Sequence, residues 1–377
     1  MKVALIRQRY NPYGGAERFI ERALGAMGAS QDLSIDLITR NWEGGYHAGR
    51  VVDCNPFYLG RVWRDWGFAR AACRKVSAGG YDLVQSHERI ACCDVYRAGD
   101  GVHAQWLENR ARLGSWPGSL VQQATPWHRH TLRAERELFS SKRLHAVICN
   151  SQMVAGEITR HFGVDAQKLH VIYNGVDTAA FRPDNGARLA LRRQLGIAPE
   201  ALLFLFVGSG FERKGVGALL RAFALLQGPA RMHAHLAVVG HDRKSAQYRN
   251  LASRLGIADR VSFPGPQAPV QPWYQGADCF VLPTLYDPFP NAILEALACG
   301  LPVITSRQCG AAEILEGSDS GWVCDALDHE ALAVLMGALD TRRCAAMSRA
   351  ARELAGSFTL ERMADQMTGL YRRFWAA

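Results

Sequence analysis

Short runs of consecutive apolar residues recur along the chain and alternate with stretches whose apolar positions fall every three or four residues. The first pattern predicts strands buried on both faces, and the second predicts amphipathic helices. The predicted strands are Val3–Arg7, Ile35–Thr39, Asp82–Ser86, Val95–Ala98, Ala146–Asn150 and Leu169–Ile172, then Leu202–Gly208, Ala234–Gly240, Val261–Phe263, Cys279–Pro283, Val303–Thr305 and Trp322–Cys324. Helical patterns intervene at Ala16–Met27, Val216–Leu226, Gln247–Leu255, Ala292–Cys299 and Ala346–Leu354. Such alternation predicts an α/β fold with parallel sheets covered on both faces. The turn-rich run Tyr173-Asn174-Gly175-Val176-Asp177, followed by Phe181-Arg182-Pro183, separates the two series. It places a first domain at 1–175 and a second at 176–356, ahead of a last segment at 357–377. Functional loops of parallel sheets lie at the carboxyl ends of the strands, so the residues following each strand are the ones to read.

At 377 residues, with 48% hydrophobic and 21% charged positions, the chain suits two globular domains and not a disordered or fibrous protein. No run of about 18 apolar residues predicts a spanning helix, and Val3–Ile6 is too short for the apolar core of a signal peptide. The ten cysteines are scattered without a C-x-x-C pair, with only Cys92 and Cys93 adjacent. They read as reduced thiols, with Cys149, Cys279 and Cys299 inside apolar runs, and a cytoplasmic location is expected. The net charge is +9, and the first 180 residues carry 23 Lys and Arg against 17 Asp and Glu. That excess suits an anionic membrane surface, a phosphorylated acceptor or a nucleic acid. No nucleic-acid reading motif is present, so no nucleic-acid partner is expected.

A helix through residues 59–76 places Val62, Trp66, Ala69, Cys73 and Val76 on one face, flanked by basic residues. It fits peripheral contact with an anionic leaflet at the inner face of the cytoplasmic membrane, or equally a helix packed on its own domain.

Three strand-end loops carry candidate chemistry. The first, Tyr10 to Arg18, contains Gly14-Gly15 and opens a helix, where free N–H groups attract anions. It reads as readily as a tight turn. The second, Gly208-Ser209-Gly210-Phe211-Glu212-Arg213-Lys214-Gly215, matches neither G-x-G-x-x-G nor a P-loop. It sets two cations beside a helix start, where the dipole disfavours them unless an anion sits between; the bland reading is a solvated Arg-Lys pair. The third runs from Pro283 through Asp287, Phe289, Pro290, Asn291 and Ala292 to Glu295 and Gly300-Leu301-Pro302. Asp287 stands in the loop and Glu295 in an otherwise apolar helix, where a capping role explains the first carboxylate but not the second. The backbone N–H groups of Asn291 and Ala292 open that helix.

The Asp287-x7-Glu295 spacing with its Glu-Ala-Leu-Ala-Cys-Gly-Leu-Pro-Val-Ile tail resembles the signature of family 4 glycosyltransferases. Gly208 with Arg213-Lys214-Gly215, Gly14-Gly15 and Asn174-Gly175-Val176-Asp177 resemble that family too, in its order. The resemblance implies a GT-B architecture: two Rossmann-like domains facing across a cleft, an acceptor domain and then a donor domain, with a last helix, about Leu360 to Trp375, returning to the first domain. It implies that Glu295 binds the ribose, Arg213 and Lys214 the diphosphate, and Asp287 the transferred sugar. The amides near Phe289, Asn291 and Ala292, with Gly14, Gly15 and Gly208, complete the donor grip. The family usually has Glu at Asp287 and Gly at Pro290, departures that touch the sugar side of the donor site.

The resemblance further implies a retaining transfer of a hexose, of glucose or N-acetylglucosamine type, from a UDP-linked donor to a saccharide or glycolipid acceptor in lipopolysaccharide or other surface glycan synthesis. With no Asp-x-Asp motif in the sequence, leaving-group stabilisation without a metal or other cofactor is expected. In the first domain, Asp94-Val95-Tyr96 followed by Asp100 resembles the lipopolysaccharide-core glucosyltransferases, which makes Asp100, and beside it His103, candidates for contact with the reacting sugar. His87, Glu88 and Arg89, after another strand, are candidates for the acceptor pocket. The competing readings are an epimerase or phosphorylase of the same fold, and a non-catalytic nucleotide-sugar or carbohydrate-binding partner.

Overall fold

Val3, Ala4, Leu5 and Ile6 are fully or almost fully buried, as expected of a strand flanked by strands and covered on both faces. They belong to β1, Lys2–Ile6, the middle of the first sheet in a computed structural model that describes residues 1–9, 34–42, 50–114, 125–228 and 233–375. The helix expected at Ala16–Met27 lies outside the described residues, as do Gly14 and Gly15. The chain divides into two compact units, Met1–Gly175 with Leu360–Ala377, and Val176–Thr359. The second unit runs past the expected boundary at 356. Its end is tied to its beginning: the Val176 amide donates to the Phe358 carbonyl at 2.9 Å, and Thr359 bridges Val176.

In the first unit the described strands are β1, β2 (Ser34–Thr39), β3 (Val51–Asp53), β4 (Leu83–Ser86), β5 (Val95–Arg97), β6 (Ala146–Cys149) and β7 (Leu169–Val171). They form a parallel sheet in the order β3-β2-β1-β4-β5-β6-β7. β3 was not expected, because three residues, Val51-Val52-Asp53, are too few to show a pattern; pairing to β2 makes the strand. One sheet face carries Val3, Leu5, Leu37, Leu83, Val95 and Ile148 under the last helix, Leu360–Trp375. The opposite face packs Ala4, Ile6, Val84, Tyr96 and Val147 against other helices.

The second unit holds β8 (Leu202–Val207), β9 (Ala234–Val239), β10 (Val261–Gly265), β11 (Cys279–Leu282), β12 (Val303–Ser306) and β13 (Gly321–Cys324), again parallel, in the order β10-β9-β8-β11-β12-β13. Each sheet therefore reverses direction of growth once, between β1 and β4 and between β8 and β11. Ligands of open parallel sheets bind outside the strand carboxyl ends at such a point. In the helix Asn185–Leu195, Arg188 and Arg192 are spent on structure: both bond Asp278, which also accepts from the Leu203 amide.

Two expectations change. The helix Gly60–Ala78 buries Phe68, Ala72 and Val76, spaced by four, against the sheet. Of the stripe expected to form one face, only Val76 belongs to that buried set, and Trp66 is 47% exposed. The cysteines are not all reduced. Cys73 on this helix and Cys92 in the segment after β4 are joined in a disulfide, because helix and loop bring their Cα atoms within 5.8 Å. The other eight cysteines are free and buried, Cys149, Cys279 and Cys299 among them. Among the described residues no helix is long and apolar enough to cross a membrane.

Candidate active site

The reversal point of the second sheet is built by the loops leaving β8 and β11. β8 ends in an apolar run and gives way to Gly208, whose amide donates to Val239 at 3.0 Å. The next turn is anchored from β9: the Phe211 amide donates to Asp242 Oδ2 at 2.7 Å and the Gly210 amide to the His241 carbonyl at 3.3 Å. Gly215 then begins the helix Val216–Ala224 with φ +79°, and a Cβ there would lie 1.8 Å from the Pro283 carbonyl oxygen. No other residue fits so close an approach. This contact explains the Gly that follows Arg213-Lys214, since it seats the helix start against β11.

The two loops are stitched through Arg213. Its carbonyl accepts from the Leu285 amide at 2.8 Å and from the Thr284 hydroxyl at 2.9 Å. The half-buried Arg213 side chain makes no hydrogen bond or ion pair among the described residues. Lys214 differs, because its ammonium is paired with the Asp287 carboxylate. Asp287 is held by its own backbone, with its amide donating to Gln308 at 3.1 Å and its carbonyl accepting from Gly310 at 2.8 Å. The cation expected on the diphosphate and the carboxylate expected on the transferred sugar are therefore paired with each other.

Past Asp287 the chain buries Phe289 against Phe358, their rings 6.4 Å apart, and turns at Pro290 into the helix Asn291–Ala298. Pro290 occupies the capping position, so its missing N–H removes no helical bond. The amides of Asn291 and Ala292 follow in the first turn, where no intrahelical carbonyl can serve them. Glu295 lies about 6 Å further along the axis at 1.5 Å per residue. It is buried, and its Oε2 accepts from the Tyr274 hydroxyl at 2.9 Å. Tyr274, fully buried in the helix Gln271–Gly276 between Phe181 and Phe280, fixes where that carboxylate points.

In the first unit, the loops after β1, β4 and β5 converge. The Gln8 amide donates to Glu88 Oε1 at 2.9 Å, and Arg7 Nη1 lies 3.6 Å from Glu88 and 3.4 Å from Asp100. Burial pushes the Glu88 carboxyl up, against the pull of Arg7 and the Gln8 amide. Asp100 keeps 47% of its side chain exposed. Arg89 turns away to Glu135 and to the Gly101 carbonyl, at 2.9 and 3.1 Å. His103 starts the helix His103–Ala111, with its amide on Glu135 and its Nε2 against His128 Nδ1 at 2.9 Å. Burial, Arg89 and His128 push its imidazole down to about 3. The structure thus gathers Asp100 and Glu88 around Arg7 and commits His103 to a buried pair with His128. His87 is buried and contacts Gln85.

Sequence reasoning missed Tyr274, Asp242, Arg7 and Glu135. Tyr274 and Glu135 sit in helices, Gln271–Gly276 and Pro126–Phe139, that carry no motif of their own, and Asp242 lies just past the end of β9. Arg7 is the last residue of the predicted strand Val3–Arg7.

The sequence matches two family models, Glycosyltransferase Family 4 over residues 13–180 and Glycosyl transferases group 1 over residues 201–339. Among curated relatives, the D-inositol 3-phosphate glycosyltransferase 2 of Catenulispora acidiphila is 34% identical over 319 residues, 81% of this chain and 72% of that protein. The D-inositol 3-phosphate glycosyltransferase of Thermomonospora curvata is 34% identical over 243 residues, 59% of this chain. That match spans only 56% of the Thermomonospora protein's length. Among solved structures, WaaG, a glycosyltransferase involved in lipopolysaccharide biosynthesis, superimposes with a TM-score of 0.85 at 23% identity, over 98% of this chain and 99% of that one. Anabaena HepE in complex with UDP and glucose gives 0.74 at 21%, over 99% and 100%. These likenesses establish the GT-B fold of two Rossmann-like parallel-sheet units. With the Catenulispora relative matched over more than two thirds of its length, and one family model on each unit, the chain belongs to the family 4 glycosyltransferases.

Proposed function

We propose that the chain moves a hexosyl group from a UDP-linked sugar to a hydroxyl of a saccharide or glycolipid acceptor, in surface glycan assembly and with retention at the anomeric carbon. One observation carries the reading. At the reversal point of the second sheet, the loops leaving β8 and β11 and the helix that follows carry Arg213, the Lys214–Asp287 pair, a helix start and buried Glu295, a set that suits a diphosphate flanked by a sugar on one side and a ribose on the other. The HepE structures with UDP and glucose and with UDP-glucose support the donor class, and WaaG supports the surface-glycan setting.

In this account the anomeric carbon–oxygen bond to the diphosphate breaks as the acceptor oxygen bonds to the same face of the carbon. The acceptor proton passes to the departing phosphate oxygen. Negative charge growing on that group is met by Arg213, Lys214 and the Asn291 and Ala292 amides, preorganised so that no reorientation is needed. No metal ion is required in this scheme, and chelators leave turnover unchanged. Asp287 releases Lys214 to the phosphate and takes up sugar hydroxyls. Its shorter side chain, relative to the usual Glu, is where donor-sugar preference is set. Asp100 and Glu88, gathered by Arg7, serve the acceptor side.

Nucleoside diphosphate released only when acceptor is added supports transfer; release without acceptor indicates an epimerase or hydrolase instead. NMR of the product linkage reads retention, and an inverted anomer overturns it.

A second observation favours peripheral contact with an anionic bilayer. Phe57, Leu59, Trp63 and Trp66 are 72%, 70%, 43% and 47% exposed. They lie on and just before the helix Gly60–Ala78, among exposed Arg61, Arg70, Arg74 and Lys75. Aromatic groups at headgroup depth with flanking cations match such a surface. Sedimentation with anionic vesicles, reversed by salt and lost in a Trp63→Ser/Trp66→Ser variant, supports it; absence of binding removes it.

A further inference from the structure

The sheet face beneath the last helix is apolar over most of its width, yet a polar line crosses it. Leu83, Gln85 and His87 alternate onto one side of β4 and its extension, and Leu83 joins the cluster that holds Met363, Met367, Leu370 and Tyr371. Gln85 and Tyr371 are fully buried. The Tyr371 hydroxyl donates to Gln85 Oε1 at 2.7 Å, and Gln85 Nε2 lies 3.0 Å from His87 Nε2. Next to them, the buried guanidinium of Arg97 bonds Asn174 Oδ1 at 2.8 Å and the Met367 sulfur at 3.4 Å.

With the Gln85 oxygen turned to Tyr371, this chain of contacts has one consistent assignment of protons. An amide oxygen only accepts and an amide nitrogen only donates. Once Tyr371 takes the Gln85 oxygen, the Gln85 nitrogen must donate to His87, and the facing ring nitrogen must carry the lone pair. The ring proton then sits on Nδ1. We infer that Tyr371 and Gln85 are positioning residues that hold His87 in the Nδ1–H tautomer, so that it meets the acceptor site as a hydrogen-bond donor. Burial, Arg97 and Arg7 push the His87 imidazole well below its usual value, which keeps a second proton off Nε2. A linked polar network inside an apolar face favours one arrangement, because each broken link leaves a buried group unpaired.

What His87 donates to rests on the reading of the β4 loop as the acceptor site. The tautomer does not, so an NMR result and a transfer assay fail separately. The test is a two-bond proton–nitrogen correlation spectrum of the full chain labelled with 15N-histidine, with the His87 signals identified by their loss in His87→Gln. The expected result at neutral pH is the Nδ1–H pattern. In Tyr371→Phe, freed of its partner, the Gln85 amide can turn, and the pattern moves toward Nε2–H or a mixture. Gln85→Glu keeps the side chain's size and leaves only acceptors facing the ring, and it converts His87 to the Nε2–H or doubly protonated form. An Nε2–H pattern in the wild-type chain overturns the inference, and so does an unchanged pattern in a folded Gln85→Glu variant.

Discussion

Replacing Tyr274 by Phe removes one oxygen atom, 2.9 Å from Glu295 Oε2, in a place water does not reach. The ring remains packed on Phe181 and Phe280, so the fold is retained. A hydrogen bond to a charged group contributes about 1.5–3 kcal/mol net, and its loss leaves a buried carboxylate lone pair unmet. The low end applies here, because bound ribose hydroxyls would restore part of what is lost. About 1.5 kcal/mol corresponds to roughly tenfold weaker UDP binding. Ribose is remote from the reacting carbon and is gripped alike in ground and transition states. The loss therefore appears in donor KM, while kcat at saturating donor stays within about twofold. Calorimetric titration of UDP into wild type and variant reads the first quantity and saturation kinetics the second. Unchanged UDP affinity in a folded Tyr274→Phe protein refutes the assignment of Glu295 to the nucleotide. A fall in kcat with unchanged KM places Glu295 at the reaction centre instead.

Other consequences are as direct. If Arg213 stabilises the leaving group as proposed, Arg213→Ala lowers kcat on the order of 100-fold, more than it lowers UDP affinity; equal effects on both indicate ground-state binding alone. Asp100→Ala lowers turnover by about 100-fold with UDP binding intact, and intact turnover removes Asp100 from the reaction. The Cys73–Cys92 disulfide closes a loop of 19-residue separation, and the Cys73→Ala/Cys92→Ala variant loses about 3 kcal/mol of stability to urea under oxidising conditions; the difference vanishes under reduction. His103 is held down to about 3, while the unfolded chain takes up a proton near 6.5. Its contribution is therefore complete above pH 6.5 and is lost as pH falls towards 3, at up to roughly 1.4 kcal/mol per pH unit. Urea melts at pH 7 and pH 5 lose less in His103→Gln than in wild type, and equal losses contradict the burial account.

The architecture was legible because each strand of a parallel sheet is an apolar run that needs no knowledge of its neighbours. β3 escaped because its three residues owe their strand state to pairing with β2. The donor motif was legible for a local reason too: Asp287 and Glu295 are fixed relative to one another by a loop and one helix. What could not be read is whatever depends on a partner distant in the chain. Lys214 reaches Asp287 across 73 residues, Glu295 is aimed by Tyr274 21 residues away, and His103 is claimed by His128 25 residues on. The helix at Gly60–Ala78 shows the same limit. Its two overlapping apolar stripes are equivalent by periodicity, and the sheet beneath selects Phe68, Ala72 and Val76, leaving Trp63 and Trp66 outside.

In the proposed function the second unit grips a nucleotide sugar through Arg213, Lys214 and Glu295. Thermal unfolding of the full chain against a panel of nucleotide sugars tests it most directly, since a ligand that binds only the folded state raises the midpoint in proportion to its affinity. The expected result is a rise with UDP-glucose or UDP-N-acetylglucosamine that is lost in a folded Arg213→Ala/Glu295→Ala variant. No rise with any nucleotide sugar, or a rise that survives in that variant, contradicts it.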